Sequence, residues 1–281
     1  METAKKSGAN KPTYITRDTV KRLLVDVKNI QKNPLHEHGV YYIHDLEDMM
    51  KGYALIIGRE STPYFGGFYF FEFHFPPNYP FSPPLVIYCT NQNKIRFNPN
   101  LYHNGKVCLS ILNTWGNGDP WTACQTITTV LLSLCTLLNE TPLLNEPGVD
   151  LTEGELIKTY NDLIEFANID VAICNILHKV PHIYMSFFDQ FYPIMIESFA
   201  KNQGRILEFC RAKLAEKGPE PIIIDMSRLY HIRLNACYSR LLDKLERTIE
   251  YVKRLNEKDP DGAKEFETTP SLSEIIDIHL V

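Results

Sequence analysis

A chain of 281 residues, 44% hydrophobic and 11% aromatic, is long enough for one large domain or two small ones and can bury a sizeable core. Its net charge of -5 and isoelectric point near 6.0 argue against a general nucleic-acid binder, which would be basic. Seven cysteines without a C-x-x-C pair argue against zinc and disulfide frameworks and suit a reducing compartment, cytoplasmic or also nuclear.

Residues 1–14 are polar and read as a disordered segment, neither signal peptide nor anchor. No run of 18 apolar residues occurs, so no membrane span is expected. Arg17 to Gln31 has Val20, Leu23, Leu24, Val27 and Ile30 at helical spacing, with Thr16 as N-cap. Lys21 and Arg22 lie on its opposite, charged face, which is either solvated or a docking face. Three strand-like runs follow, Val40 to His44, Tyr53 to Gly58 and Phe68 to Phe75, the last apolar on nearly both faces and so a central strand covered on both sides. Pro76 to Pro84 holds five prolines and must be a rigid loop, with Tyr79-Pro80 a candidate cis bond. Leu85 to Tyr88 makes a fourth strand, and the short links imply an antiparallel meander.

Ile95 to Leu112 carries the chemistry. Asn98-Pro99-Asn100 forms a turn, and Cys108 follows eight residues after Asn100. A thiol with an amide donor nearby suits acyl transfer, the cysteine holding a thioester and the amide the oxyanion. A loop with Trp115 and Trp121, both expected to be core anchors, leads to a helix from Thr126 to Leu138. Further helices are expected at Glu153 to His178, His182 to Ala200, Gly204 to Glu216 and Met226 to Leu255, with a polar tail over 256–281. The fold class is therefore α+β: a four-stranded meander, an N-terminal helix and C-terminal helices.

Gly66-Gly67, Tyr79-Pro80-x-x-Pro83-Pro84, Asn98-Pro99-Asn100, Cys108-Leu-Ser-Ile-Leu and Trp121, in this order and spacing, resemble the ubiquitin-conjugating enzymes. The resemblance spans about residues 15–178, leaving 179–255 as a helical extension. Asn98 in place of a common histidine, the Arg96-Phe97 lead-in and Asn145-Glu146-Pro147-Gly148 are similar to the Z type within that family. Lys158-x-Tyr-Asn and Phe187-Phe188 in the C-terminal part resemble it too.

The resemblance implies that Cys108 accepts ubiquitin, or a ubiquitin-like modifier, from an activating enzyme, one of a non-standard kind. Transfer to a substrate lysine follows, usually with a ligase. Such a thiol should be exposed to admit a bulky protein. Asn100 would stabilise the oxyanion, or it merely bonds its own turn. Glu146 would orient or deprotonate the lysine, or it caps its loop. Phe81, Thr122 and Ala123 fall on the loops the family uses for ligase docking, with Ala123 where many members have proline. Lys21 and Arg22 correspond to contacts with the activating enzyme. His103 and Cys108 could form a thiol hydrolase pair, but no residue to orient the imidazole can be named. No cofactor is implied, since ATP is consumed by the activating enzyme; no metal, nucleic acid or membrane is expected. Two rivals stand beside this reading: an adaptor that keeps the fold with an idle thiol, and an enzyme for a different modifier.

Overall fold

The computed structural model describes residues 14–90, 95–116, 118–181 and 184–258. The expectations of disorder over residues 1–14 and of a flexible tail over 256–281 fall outside them except at residue 14 and at 256–258, the latter being helical rather than tail.

Helix α1 (Arg17–Lys32) starts where Thr16 accepts the Thr19 N–H at 3.1 Å, and it buries Leu23, Val27 and Ile30. Four strands follow: β1 (Val40–His44), β2 (Lys51–Ile57), β3 (Phe68–His74) and β4 (Leu85–Tyr88). They form one antiparallel sheet in the order β1-β2-β3-β4, the meander expected from the short links. Tyr79–Pro80 is cis. Helix α2 (Ile127–Leu137) has a reciprocal cap between Thr126 and Thr129 and buries Ile127, Val130, Leu131 and Leu134.

Aromatic side chains cover both faces of β3. On one face Tyr69 meets Tyr64 edge-on and donates its hydroxyl to Asn168 Oδ1 at 2.6 Å. On the other, Phe70 stacks on Phe188 with ring centroids 3.8 Å apart. Tyr53, on the same face through its pairing with Glu72, stacks on Phe187 at 4.4 Å. Phe187 and Phe188 belong to a 3-10 turn, Ser186–Phe191, so the C-terminal extension is what shields the second face of the sheet.

The extension differs from the expected series of helices. Helix α3 (Gly154–Ala167) passes into a π-helical segment, Asn168–Asn175. At the junction Asn168 also donates through Nδ2 to the Phe65 carbonyl. A Cβ at Gly67 would stand 1.9 Å from Asn168 Oδ1, so this approach requires glycine there, and Gly66 is required by its own φ of +73°. The two helices expected on either side of Gly204 are one, α4 (Tyr192–Lys217). A glycine inside a helix costs about 1 kcal/mol, which packing of α4 against the last helix outweighs.

The helix expected from Met226 begins only at Tyr238. Before it stands a hairpin of β5 (Ile222–Met226), a single helical turn α5 (Ser227–Tyr230), and β6 (Ile232–Ala236). Alternation of Ile232, Leu234 and Ala236 with Arg233 and Asn235 has the period of a strand, and it prevails over the helical spacing of Leu234. Helix α6 (Tyr238–Lys258) completes the chain. Lys213 pairs with Asp162 and Glu165, and Lys244 with Asp170, binding α4 and α6 to α3 and the π-segment.

Two substitutions test this arrangement by chemical denaturation. Phe188→Ala should cost about 3–5 kcal/mol, since it opens a cavity against Phe70. Gly204→Ala, where an added Cβ meets nothing within 4 Å, should stabilise the chain by about 0.5–1 kcal/mol.

Candidate active site

The spacing of Asn100 and Cys108 follows from a hairpin. Leu101 pairs with Val107, and the Tyr102 N–H donates to the Lys106 carbonyl. Gly105, at φ +87°, closes the turn by donating its N–H to Tyr102. Asn100 and Cys108 are the next opposed positions, and they bond twice. The Cys108 N–H donates to the Asn100 carbonyl at 2.9 Å, and Asn100 Nδ2 donates to the Cys108 carbonyl at 2.7 Å. The Asn100 side chain thus has a structural bond of its own.

Asn98 is fully buried and holds the turn. Its Nδ2 donates to the Leu137 carbonyl at 2.7 Å and to the Tyr64 hydroxyl at 3.2 Å. Its Oδ1 accepts the Asn100 N–H at 2.9 Å and Asn145 Nδ2 at 3.4 Å. Four contacts from one amide satisfy both its donors and both its lone pairs. They join the end of α2, the Asn-Pro-Asn turn and the loop before Glu146.

Cys108 differs from the exposed thiol expected: the residue is only 2% accessible. Thr114 folds the following segment back on the two residues that flank it in sequence, donating to the Val107 carbonyl and accepting the Leu109 N–H at 2.9 Å. Its chain neighbour Val107 and, four residues on, Leu112 are buried as well. Three other buried cysteines are poor nucleophiles, because burial pushes the thiols of Cys89 and Cys174 up to about 12 and that of Cys210 to about 11. His103 lies exposed on the hairpin turn.

Glu146 is half-buried, and its Oε2 accepts the Tyr230 hydroxyl at 2.6 Å. Sequence reasoning missed Tyr230, which arrives from the unforeseen β5–β6 hairpin. It also missed Arg96 as a site residue. Arg96 donates to the Pro99 carbonyl at 2.5 Å, and its guanidinium lies 3.9 Å from the Tyr102 ring and 4.7 Å from the Tyr230 ring.

Phe81 is 75% exposed, and Thr122 is exposed beside half-buried Ala123. These two loops are tied together, Trp121 Nε1 donating to the Pro80 carbonyl at 2.6 Å. Trp121 is the core anchor expected, whereas Trp115 is half-exposed, on a loop with Gly116 on its C-terminal side. Lys21 is exposed. Arg22 departs from a free surface cation: Nε donates to Asp26 at 3.0 Å, Nη1 to the Ala123 carbonyl at 2.7 Å and Nη2 to the Gln125 carbonyl at 2.5 Å. Asp26, buried, also accepts the Tyr79 hydroxyl. Arg22 is therefore a clamp between α1 and the Thr122–Ala123 loop.

Among the described residues no three His, Cys, Asp or Glu side chains gather as a metal would require. No helix among them is long and apolar enough to cross a membrane.

Asn98→Ala should lower stability by about 2–4 kcal/mol in denaturant titration, since it leaves the Asn100 N–H, the Leu137 carbonyl and the Tyr64 hydroxyl short of partners inside the fold.

Comparison with known proteins agrees with this geometry. The family model described as "Ubiquitin-conjugating enzyme" matches residues 22–162. The chain is 38% identical over 206 residues to ubiquitin-conjugating enzyme E2 Z of Danio rerio, covering 72% of this chain and 60% of that protein. It is 39% identical over 201 residues to the Homo sapiens protein of the same name, 66% of this chain and 55% of that one. With the Xenopus tropicalis protein the identity is 45% over 161 residues, 56% of this chain and 50% of the other. The chain thus spans 50% to 60% of the length of these relatives. A meander sheet between α1 and C-terminal helices, a buried Asn-Pro-Asn turn opposite a cysteine, and a matching family model over half the chain place it in the ubiquitin-conjugating enzyme family, and it is similar to the Z type.

Proposed function

We propose that the chain is an active conjugating enzyme that carries ubiquitin, or a ubiquitin-like modifier, as a thioester on Cys108. In the first step the Cys108 thiolate attacks the thioester carbonyl of the charged activating enzyme and expels that enzyme's thiolate. In the second a lysine amine attacks the Cys108 thioester. An isopeptide bond forms, the C–S bond breaks, and the amine proton passes to a base while Cys108 regains its thiol. ATP is spent by the activating enzyme, and no cofactor takes part here.

The observation that carries this reading is the pairing of Asn100 with Cys108 across the hairpin. An amide NH₂ has two hydrogens; one is spent on the Cys108 carbonyl, and the other would serve as donor to the oxyanion formed when the thioester is attacked. Glu146 orients or deprotonates the amine. Phe81, Thr122 and Ala123 form the ligase surface. Lys21 is the cation left for the activating enzyme, Arg22 acting indirectly by setting the ligase loop. Cys108 is buried, so the carrier reading also requires the site to open before a modifier can be loaded. The proposed place of work is the cytoplasm or nucleus.

That burial favours one other reading, an adaptor with an idle thiol. A charging assay separates the two. Incubated with ATP, a set of modifiers and their activating enzymes, the protein should form an adduct that reducing agent removes and that Cys108→Ala abolishes. Absence of any adduct would favour the adaptor. Asn100→Ala should still charge but discharge to free lysine about 10²–10³-fold more slowly, as loss of an oxyanion donor does elsewhere.

A further inference from the structure

The β5–β6 hairpin brings one side chain of the extension to the Asn-Pro-Asn turn. Tyr230 ends the helical turn Ser227–Tyr230, and His231 at φ 56° reverses the chain there. The Tyr230 ring packs 5.6 Å from that of Tyr160, whose hydroxyl donates to the Arg96 carbonyl at 2.7 Å. The same Tyr230 ring and that of Tyr102 lie beside the Arg96 guanidinium, which donates to the Pro99 carbonyl. The Tyr230 hydroxyl is spent on Glu146 Oε2. Burial and that carboxylate hold the phenol well above its ordinary range, so it stays protonated and always donates. The neighbouring Asn145 reaches Asn98. The hydroxyl thus meets the carboxylate directly, and the ring meets Arg96, which in turn holds the Pro99 carbonyl of the turn.

We infer that Tyr230 is a positioning residue for the transfer step: its hydroxyl fixes the Glu146 carboxylate in one orientation against the Asn-Pro-Asn turn, so that Oε1 faces the incoming lysine amine. The inference rests on the carrier reading of Cys108 and on Glu146 as the group that meets the lysine. A free glutamate samples several rotamers, and a hydrogen bond to one oxygen selects among them before the amine arrives. The carboxylate accepts from Tyr230 at Oε2, and Oε1 bears no hydrogen bond among the described residues. Loading of Cys108 does not involve an amine, so the effect is confined to discharge. The extension then does more than cover the sheet. It supplies part of the lysine-accepting face.

Tyr230→Phe keeps the ring beside Arg96 and Tyr160 and removes only the hydroxyl. The experiment uses the full chain as wild type, Tyr230→Phe, Glu146→Gln and the double variant, each loaded with modifier and then mixed with free lysine over a range of concentrations. Charging should match wild type in Tyr230→Phe, and its melting temperature should fall by no more than a few degrees, since the half-buried Glu146 regains a partner from water. Its maximal discharge rate should fall about three- to ten-fold, because the carboxylate remains and loses only its fixed orientation. Glu146→Gln should fall at least as far, and the double variant no further than Glu146→Gln alone, because the hydroxyl acts only through the carboxylate. Unchanged discharge in Tyr230→Phe overturns the inference while leaving the carrier reading intact, provided wild type charges. A double variant that loses the product of both single effects overturns it as well, as does a Tyr230→Phe loss shared by charging and melting temperature, which marks a structural role. If wild type forms no adduct, the carrier reading falls and this inference falls with it.

Discussion

A single buried amide governs the geometry of the site. The Asn98 side chain binds the last carbonyl region of α2, the Tyr64 hydroxyl, the Asn100 backbone and the Asn145 side chain. An unpaired polar group in that position would cost about 1–3 kcal/mol, so each partner is held where the amide can reach it. Because the Asn100 N–H is one of those partners, the amide also sets where the strand to Cys108 begins. The hairpin from Leu101 to Val107 then carries that position across to the thiol. A neutral asparagine does this without the uncertain charge of an imidazole.

The extension is part of the same physical system. A strand as apolar as β3 needs cover on both faces, and Phe187 and Phe188 provide it on the face away from Tyr69. The Gly66-Gly67 pair lets Asn168 approach β3 closely enough to bond Tyr69 and Phe65. From there α4, the β5–β6 hairpin and α6 are tied back by Lys213 and Lys244 to partly buried carboxylates. These ties fix the hairpin tip, and with it Tyr230, against Arg96 and Glu146.

The loops that carry Phe81 and Thr122–Ala123 are braced: Arg22 reaches the Ala123 and Gln125 carbonyls, and Trp121 reaches the Pro80 carbonyl, leaving Phe81 exposed on a fixed base. Cys108 itself is buried, and the segment after it is folded back by the Thr114 hydroxyl, which bonds both Val107 and Leu109.

Local pattern and motif order were enough to read the four-stranded meander, α1, α2, the cis proline and the Asn98, Asn100 and Cys108 positions, since each rests on neighbours in sequence. The family followed from five separated motifs. Tertiary structure alone decided what long-range contacts decide. Arg22 became a clamp because the Ala123 loop folds against α1. The helix expected from Met226 yielded to a hairpin because Ile222 to Met226 found a pairing partner and a helix, α3, to cover it. Cys108 proved buried, and Tyr230 reached Glu146 across 84 residues of chain. No periodicity encodes such meetings; they exist only once the extension has closed over the sheet.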